Sequence, residues 1–344
     1  VRLRLVDIAA RAGVSEATVS RVLNDKAVAE ATRDRVLTAI DQLGYERPAR
    51  LRRKTTGLVG LVVPELTNPV FPLFAQTIET ALAKHGYTPV LCTQTPGGLH
   101  EDEYVAMLLE QGTAGIIFVS GIHAISEADI ARYERLTANG VAIVLINGHQ
   151  PKVDAPSLSQ DDRMAVQLGL GHLRQLGHTR IGLAVGPSRY TPASRRIAAF
   201  EQTIAAHKEI VGVSEHTQYS VEGGTAAAHA LLDEGVTGIL CGSDVMALGA
   251  IRAARQRGLR VPEDVSVIGS DDGMLAQFAD PPLTTVRQDV AGMSAAAVRF
   301  LLEEIAKTPS PRREQLFAPE LVVRRSTAPA ASLRAAVSQL RAEV

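Results

Sequence analysis

The chain has 344 residues, 46% hydrophobic and 21% charged, a length for two or three domains and a composition that excludes disordered and collagen-like proteins. Its longest apolar runs, such as 115–119 and 141–146, fall far short of the roughly 20 residues a membrane helix needs, and the opening Val-Arg-Leu-Arg-Leu-Val-Asp lacks the apolar core of a secretory signal. The net charge of −1 conceals +5 over residues 1–55, where 12 Lys/Arg face 7 Asp/Glu, and so basic a first sixth points to a polyanionic partner.

Leu5, Ile8, Ala9 and Ala12 recur at helical spacing until Gly13 stops the run, which predicts a first helix. Ser15 is placed to cap a second helix whose apolar face is Val19, Val22 and Leu23. A third helix runs from Glu30 to Leu43 with Val36, Leu37, Ile40 and Leu43 inward, and Gly44 supplies the left-handed residue after it. Three short helices, the first two joined by a glycine turn, predict a small all-α helix-turn-helix domain over residues 1–45. In such a module the second helix enters the major groove, which sets Glu16, Ala17 and Arg21 at the base edges. Arg can bond guanine in bidentate fashion, Glu can accept from a cytosine amine and Ala can touch a thymine methyl. Arg4, Ser15, Thr18, Ser20, Asn24, Thr32 and Arg33 suit the phosphate backbone; for Thr18 and Ser20, capping a turn or facing solvent is the alternative.

Residues 46–56 form a polar, basic linker with almost nothing to bury, and Arg47, Arg50, Arg52, Arg53 and Lys54 would make DNA binding steeply salt-dependent. From Gly57 the pattern changes to short apolar runs (58–63, 89–92, 115–119, 141–146, 181–185, 238–241 and 265–268). These alternate with amphipathic stretches such as 74–85, 104–111, 165–176, 198–207 and 246–257. Apolar strands alternating with helices predict an α/β body of parallel sheets covered on both faces. So many units predict two doubly wound lobes, with ligand between them beyond the carboxyl ends of the strands. A tail over 328–344 spaces Leu333, Val337, Leu340 and Val344 like a heptad for under two repeats, so it either pairs subunits or frays.

Cys92 and Cys241 sit in apolar runs without metal or disulfide spacing, as reduced thiols of a cytoplasmic protein do. No Walker A, His-Glu-x-x-His or Gly-x-Ser-x-Gly string occurs, and Gly169-Leu170-Gly171 lacks its third glycine. Neither enzyme chemistry nor a cofactor, metal or membrane contact is expected.

The ordered strings Leu5-Val6-Asp7-Ile8-Ala9, Ala12-Gly13-Val14-Ser15 and Thr18-Val19-Ser20-Arg21-Val22-Leu23-Asn24 resemble the headpiece of the LacI/GalR bacterial transcriptional repressors. Thr32-Arg33 and Leu43-Gly44-Tyr45 continue the likeness. Gly60-Leu61-Val62-Val63-Pro64, Leu176-Gly177-His178-Thr179-Arg180 and Pro282-Leu283-Thr284-Thr285-Val286-Arg287-Gln288-Asp289 carry it through the body, to about residue 327. The resemblance implies a periplasmic-binding-protein-like body over 57–327 whose chain crosses three times between an N-lobe (about 57–157 and 289–316) and a C-lobe (about 158–286 and 318–327). It also implies a hinge helix that wedges a Leu into the minor groove, which places Arg50 and Leu51 there. Here those two are adjacent and the stretch is shorter than the family's, so a flexible tether is the other reading.

For the effector pocket the resemblance implies Phe71 and Tyr219 stacking on ligand, with Arg196, Asp271 and Gln288 hydrogen-bonding it and Asn68, Asp161, Ser243 and Asp244 nearby. Asp161 and Asp244 each open a helix and can equally cap it, and interior packing is the alternative for Phe71 and Tyr219. Ser243 and Ser270 replace the family's usual Asn and aromatic, Pro192 stands where a polar contact is common, and Arg4 and Ala29 replace capping Thr or Ser. The implied function is a homodimeric repressor on a pseudo-palindromic operator in double-stranded DNA, released by a small molecule, a sugar or sugar derivative first. The alternatives are an effector- or partner-activated member of the family and a solute-binding protein with a vestigial headpiece.

Overall fold

A computed structural model describes residues 4–24, 26–44, 56–94, 98–308, 310–331 and 333. The chain divides into two compact units, Val1–Thr56 and Gly57–Val344. The expected hinge residues Arg50 and Leu51, and the tail beyond Leu333, lie outside the described residues.

In the smaller unit, α1 (Leu5–Ala12) ends on Gly13 at φ 64, a left-handed turn that costs a Cβ-bearing residue stability. The Ser15 hydroxyl then accepts the Thr18 N–H at 3.2 Å and starts α2 (Glu16–Leu23). Between α1, α2 and α3 (Glu30–Gln42) lies a core of Ile8, Ala12, Val19, Val22, Leu23, Val36 and Ile40, with Leu37 and Leu43 packed against it. Arg4 and Ala29 provide no side-chain cap. At Arg4 the loss is partly offset, because the Asp7 carboxylate accepts the Arg4 N–H at 2.9 Å.

The larger unit holds two six-stranded sheets. The first comprises β1 (Gly57–Val63), β2 (Tyr87–Thr93), β3 (Gly115–Val119), β4 (Ala142–Ile146), β5 (Ser157–Gln160) and β11 (Gln315–Phe317), all parallel, in the order β11-β5-β4-β3-β1-β2. The second comprises β6 (Arg180–Val185), β7 (Val211–His216), β8 (Gly238–Cys241), β9 (Ser266–Asp271), β10 (Thr284–Arg287) and β12 (Glu320–Val322) in the order β12-β10-β9-β8-β6-β7. Its strands are parallel except β12, which runs against β10.

Helices cover both faces of each sheet. Successive residues of β3 serve opposite cores: Ile117 and Val119 pack with Phe74, Ile78 and Phe300, whereas Ile116 and Phe118 pack with Leu108, Tyr133 and Leu136. That double burial is why the strand reads as an unbroken apolar run. The chain passes between the lobes after β5, after β10 and after β11. Because Ser157–Gln160 pairs with β4 and β11 in the first sheet, the first lobe runs to Gln160 rather than to 157.

Candidate functional site

Each unit offers a site. On α2, Glu16, Ala17 and Arg21 are exposed on the face opposite Val19, Val22 and Leu23. Ser20 and Asn24 share that face, with the Asn24 amide donating to the Ser20 carbonyl at 2.8 Å and approaching its hydroxyl at 3.3 Å. Two of the expected DNA-binding cations also brace the loop leading to α3. Arg21 donates to the Ala27 carbonyl at 3.0 Å and Arg33 to the Lys26 carbonyl at 3.2 Å. Arg4 is exposed ahead of α1, and the hydroxyl of half-buried Thr32 lies 3.5 Å from Arg35.

In the larger unit the polar residues gather at the carboxyl ends of the strands, where the lobes face each other. Arg196 is buried on α8 (Thr191–Ala206), its Nε donating to Asp162 at 2.8 Å and a second nitrogen to the Gly242 carbonyl at 2.6 Å. Burial alone would lower its affinity for a proton; the paired Asp162 carboxyl outweighs that and holds the guanidinium firmly charged. The Tyr219 ring lies over Gly186 and Gly242, and a Cβ at Gly186 would overlap it. Burial pushes the Tyr219 hydroxyl up to about 12.

Asp271 ends β9 at φ 112, an unfavourable backbone for a residue with a side chain. Burial, then the neighbouring Asp244, drives its carboxyl well above the usual carboxylate range. Asp244 accepts the Thr285 hydroxyl at 2.5 Å and the Gly273 N–H at 2.7 Å, and burial pushes it up to about 7. One cation and several carboxyls therefore share a partly dehydrated space, an arrangement suited to a ligand rich in hydroxyls and able to both donate and accept.

Other expected pocket residues are occupied with local structure. Asp161 caps α7 (Asp162–Gln175) by accepting the Met164 N–H at 2.9 Å, so it is the adjacent Asp162 that reaches Arg196. Ser243 caps α10 (Asp244–Gln256), and Asn68 accepts the Val70 N–H at the start of α4 (Val70–Lys84). Phe71 is half-buried against the first lobe's core. Gln288 donates to Asn147 at 3.4 Å.

Asp162, Thr285 and Asn147 stand at the site without having been expected from the sequence. So does Gln160, which is 3% exposed at the end of β5 with neither amide atom hydrogen-bonded among the described residues. The duplicated acid Asp161-Asp162 was the one available signal for the first of these.

Cys92 and Cys241 are buried, which pushes both thiols up, Cys92 to about 11, and leaves them poor nucleophiles. Among the described residues no cluster could hold a metal, and no helix is long and apolar enough to cross a membrane.

A helix-turn-helix unit joined to a two-lobed α/β body whose cleft is lined with buried charge defines a DNA-binding regulator. Residues 4–48 match the model of bacterial regulatory proteins of the lacI family, and residues 170–327 match that of a periplasmic binding protein-like domain. The HTH-type transcriptional regulator reg1 of Streptomyces lividans is 59% identical over 338 residues, spanning 95% of this chain and 97% of its own.

Among solved structures, a transcriptional regulator CelR–cellobiose complex superposes with a TM-score of 0.71 at 28% identity, covering 94% of this chain and 100% of the other. The lac repressor dimer bound to operator and the anti-inducer ONPF gives 0.68 at 28% identity, covering 95% and 99%. The chain belongs to the lacI family of bacterial regulatory proteins: it is a transcriptional regulator and not an enzyme.

Proposed function

We propose that this regulator is a homodimeric repressor that holds a pseudo-palindromic operator and lets go when a sugar or sugar derivative enters the cleft. The observation that carries this reading is the buried Arg196–Asp162 pair facing Asp271 and Tyr219, with Asp244 next to Asp271. A sugar ring offers C–H faces to an aromatic plane and hydroxyls to charged partners, and leaving those partners unpaired in a closed cleft is costly. The cellobiose held by CelR supports the ligand class, and the operator-bound lac repressor dimer supports the DNA and the two-fold assembly. Met274 and Phe278, 72% and 74% exposed after β9, give an apolar surface that a second copy would cover.

The test is a gel-shift series on genomic fragments, with and without a panel of sugars. A fragment carrying an inverted repeat should be retarded selectively and freed by one sugar. Equal, weak retardation of every duplex would remove the repressor reading, and tighter binding on adding sugar would reverse the sign of the response.

A further inference from the structure

Arg196 is not alone on its stretch of chain. The neighbouring Arg195 makes a two-pronged ion pair with Glu314, both bonds 2.8 Å. Glu314 directly precedes β11 of the opposite lobe. At the start of the same helix, the Arg189 carbonyl accepts both the N–H of Ser126 at 2.8 Å and its hydroxyl at 3.1 Å, and Tyr190 forms an antiparallel bridge with Ile125. Ile125 and Ser126 follow β3 in the first lobe, so these bonds also span the cleft.

The first-lobe side of this bridge is built to stay put. The Ile122 N–H donates to Glu101 at 3.1 Å, the His123 N–H to the Tyr133 hydroxyl at 3.0 Å, and Gln150 to the His123 carbonyl at 2.6 Å. Tyr133 in turn bonds Glu101, a carboxylate with 0% exposure. Buried polar groups of this kind cost solvation and return geometric definition.

The Ile125–Tyr190 bridge lies away from the lobe crossings, whereas the Arg195–Glu314 pair sits beside the crossing strand β11. In the first sheet β4 separates β3 from β5, and in the second β9 and β8 separate β6 from β10. At about 4.8 Å per strand the bridge is roughly 10–15 Å from the crossing edge, so a hinge rotation of about 10° would move it some 2 Å and break it.

We propose that the start of α8 is an inter-lobe clasp that couples cleft occupancy to lobe closure. Arg196 meets the ligand, while Arg195 and the Arg189–Tyr190 backbone grip the opposite lobe. Ligand that fixes Arg196 steadies the helix bearing both grips, and an intact clasp preforms the pocket around Arg196. The coupling, though not the clasp itself, rests on the ligand-binding reading above.

Spin labels on Arg135→Cys and Glu234→Cys, exposed positions on the two lobes, report lobe separation in the full chain, the native cysteines being buried. Pulsed dipolar spectroscopy should give one narrow distance for the labelled parent. Arg195→Glu and Glu314→Arg should each lengthen and broaden it, and the double charge swap should restore it. Ser126→Pro, which removes the bridging N–H, should broaden it too; if Arg195→Glu fails to fold, Arg195→Met and Glu314→Gln take its place.

Identical distributions in parent and single variants would overturn the clasp. Cellobiose titration separates the two ideas. Binding about tenfold weaker in the single variants and recovered in the swap supports the coupling, and equal affinities overturn it. If the parent binds neither cellobiose nor any member of the sugar panel above, the ligand reading and the coupling to it fail, and the distances alone decide the clasp.

Discussion

Arg196 stays charged in a place with little water because Asp162 is 2.8 Å from its Nε. Removing one partner of a buried pair leaves the other uncompensated, so Asp162→Ala should cost about 3–5 kcal/mol in urea unfolding of the larger unit. A loss below about 1 kcal/mol would mean that water already serves the guanidinium. Asp244 sets a pH dependence. Its carboxyl is pushed up to about 7 by burial, whereas an unfolded Asp titrates near about 4, so the folded protein holds that proton more tightly. Stability from this group is therefore fullest below about pH 4 and is lost as pH rises toward 7. Asp244→Asn should flatten the fall of Tm between pH 5 and pH 8, and parallel melting curves for the two proteins would contradict this. The sequence could show that Asp161 and Asp162 begin a helix; it could not show which one folds back to cap it. A one-residue shift in the helix start exchanges their roles.

At the scale of elements, α2 was legible because Ser15, Gly13 and the Val19-Val22-Leu23 stripe each act within one or two turns. Arg21→Ala should cost about 1–3 kcal/mol of operator affinity and relax preference at one base pair, measured on a set of single-base operator variants. An equal loss on every sequence would make Arg21 a phosphate contact. Ala29, at the start of α3 with φ −57 and ψ 138, caps nothing. Ala29→Ser should therefore raise the small unit's stability by about 1 kcal/mol, read by thermal melting. The short strands were the opposite case. Ser157–Gln160 and Thr284–Arg287 carry one aliphatic residue each, Leu158 and Val286, and are strands because neighbouring strands pair with them. The edge strand Val211–His216 has partners on one side only and no apolar run to announce it.

For the whole molecule, two units with separate cores should melt as two transitions in calorimetry. At about 0.7 kcal/mol per residue, the small unit should contribute roughly 30–40 kcal/mol of enthalpy. A bound ligand should raise only the larger transition, because it stabilises the state that binds it. One transition carrying the full enthalpy would show that the units unfold together.

The amino-acid order alone settled the helix-turn-helix, the alternation of strand and helix, and the absence of enzyme signatures, because each is written in spacings of a few residues. Only the tertiary structure decided that β5 belongs to the first sheet, that Asp162 partners Arg196, and that α8 reaches across to Ser126 and Glu314. Those facts depend on groups far apart in the chain, and no local pattern records which of them close packing brings within hydrogen-bonding distance.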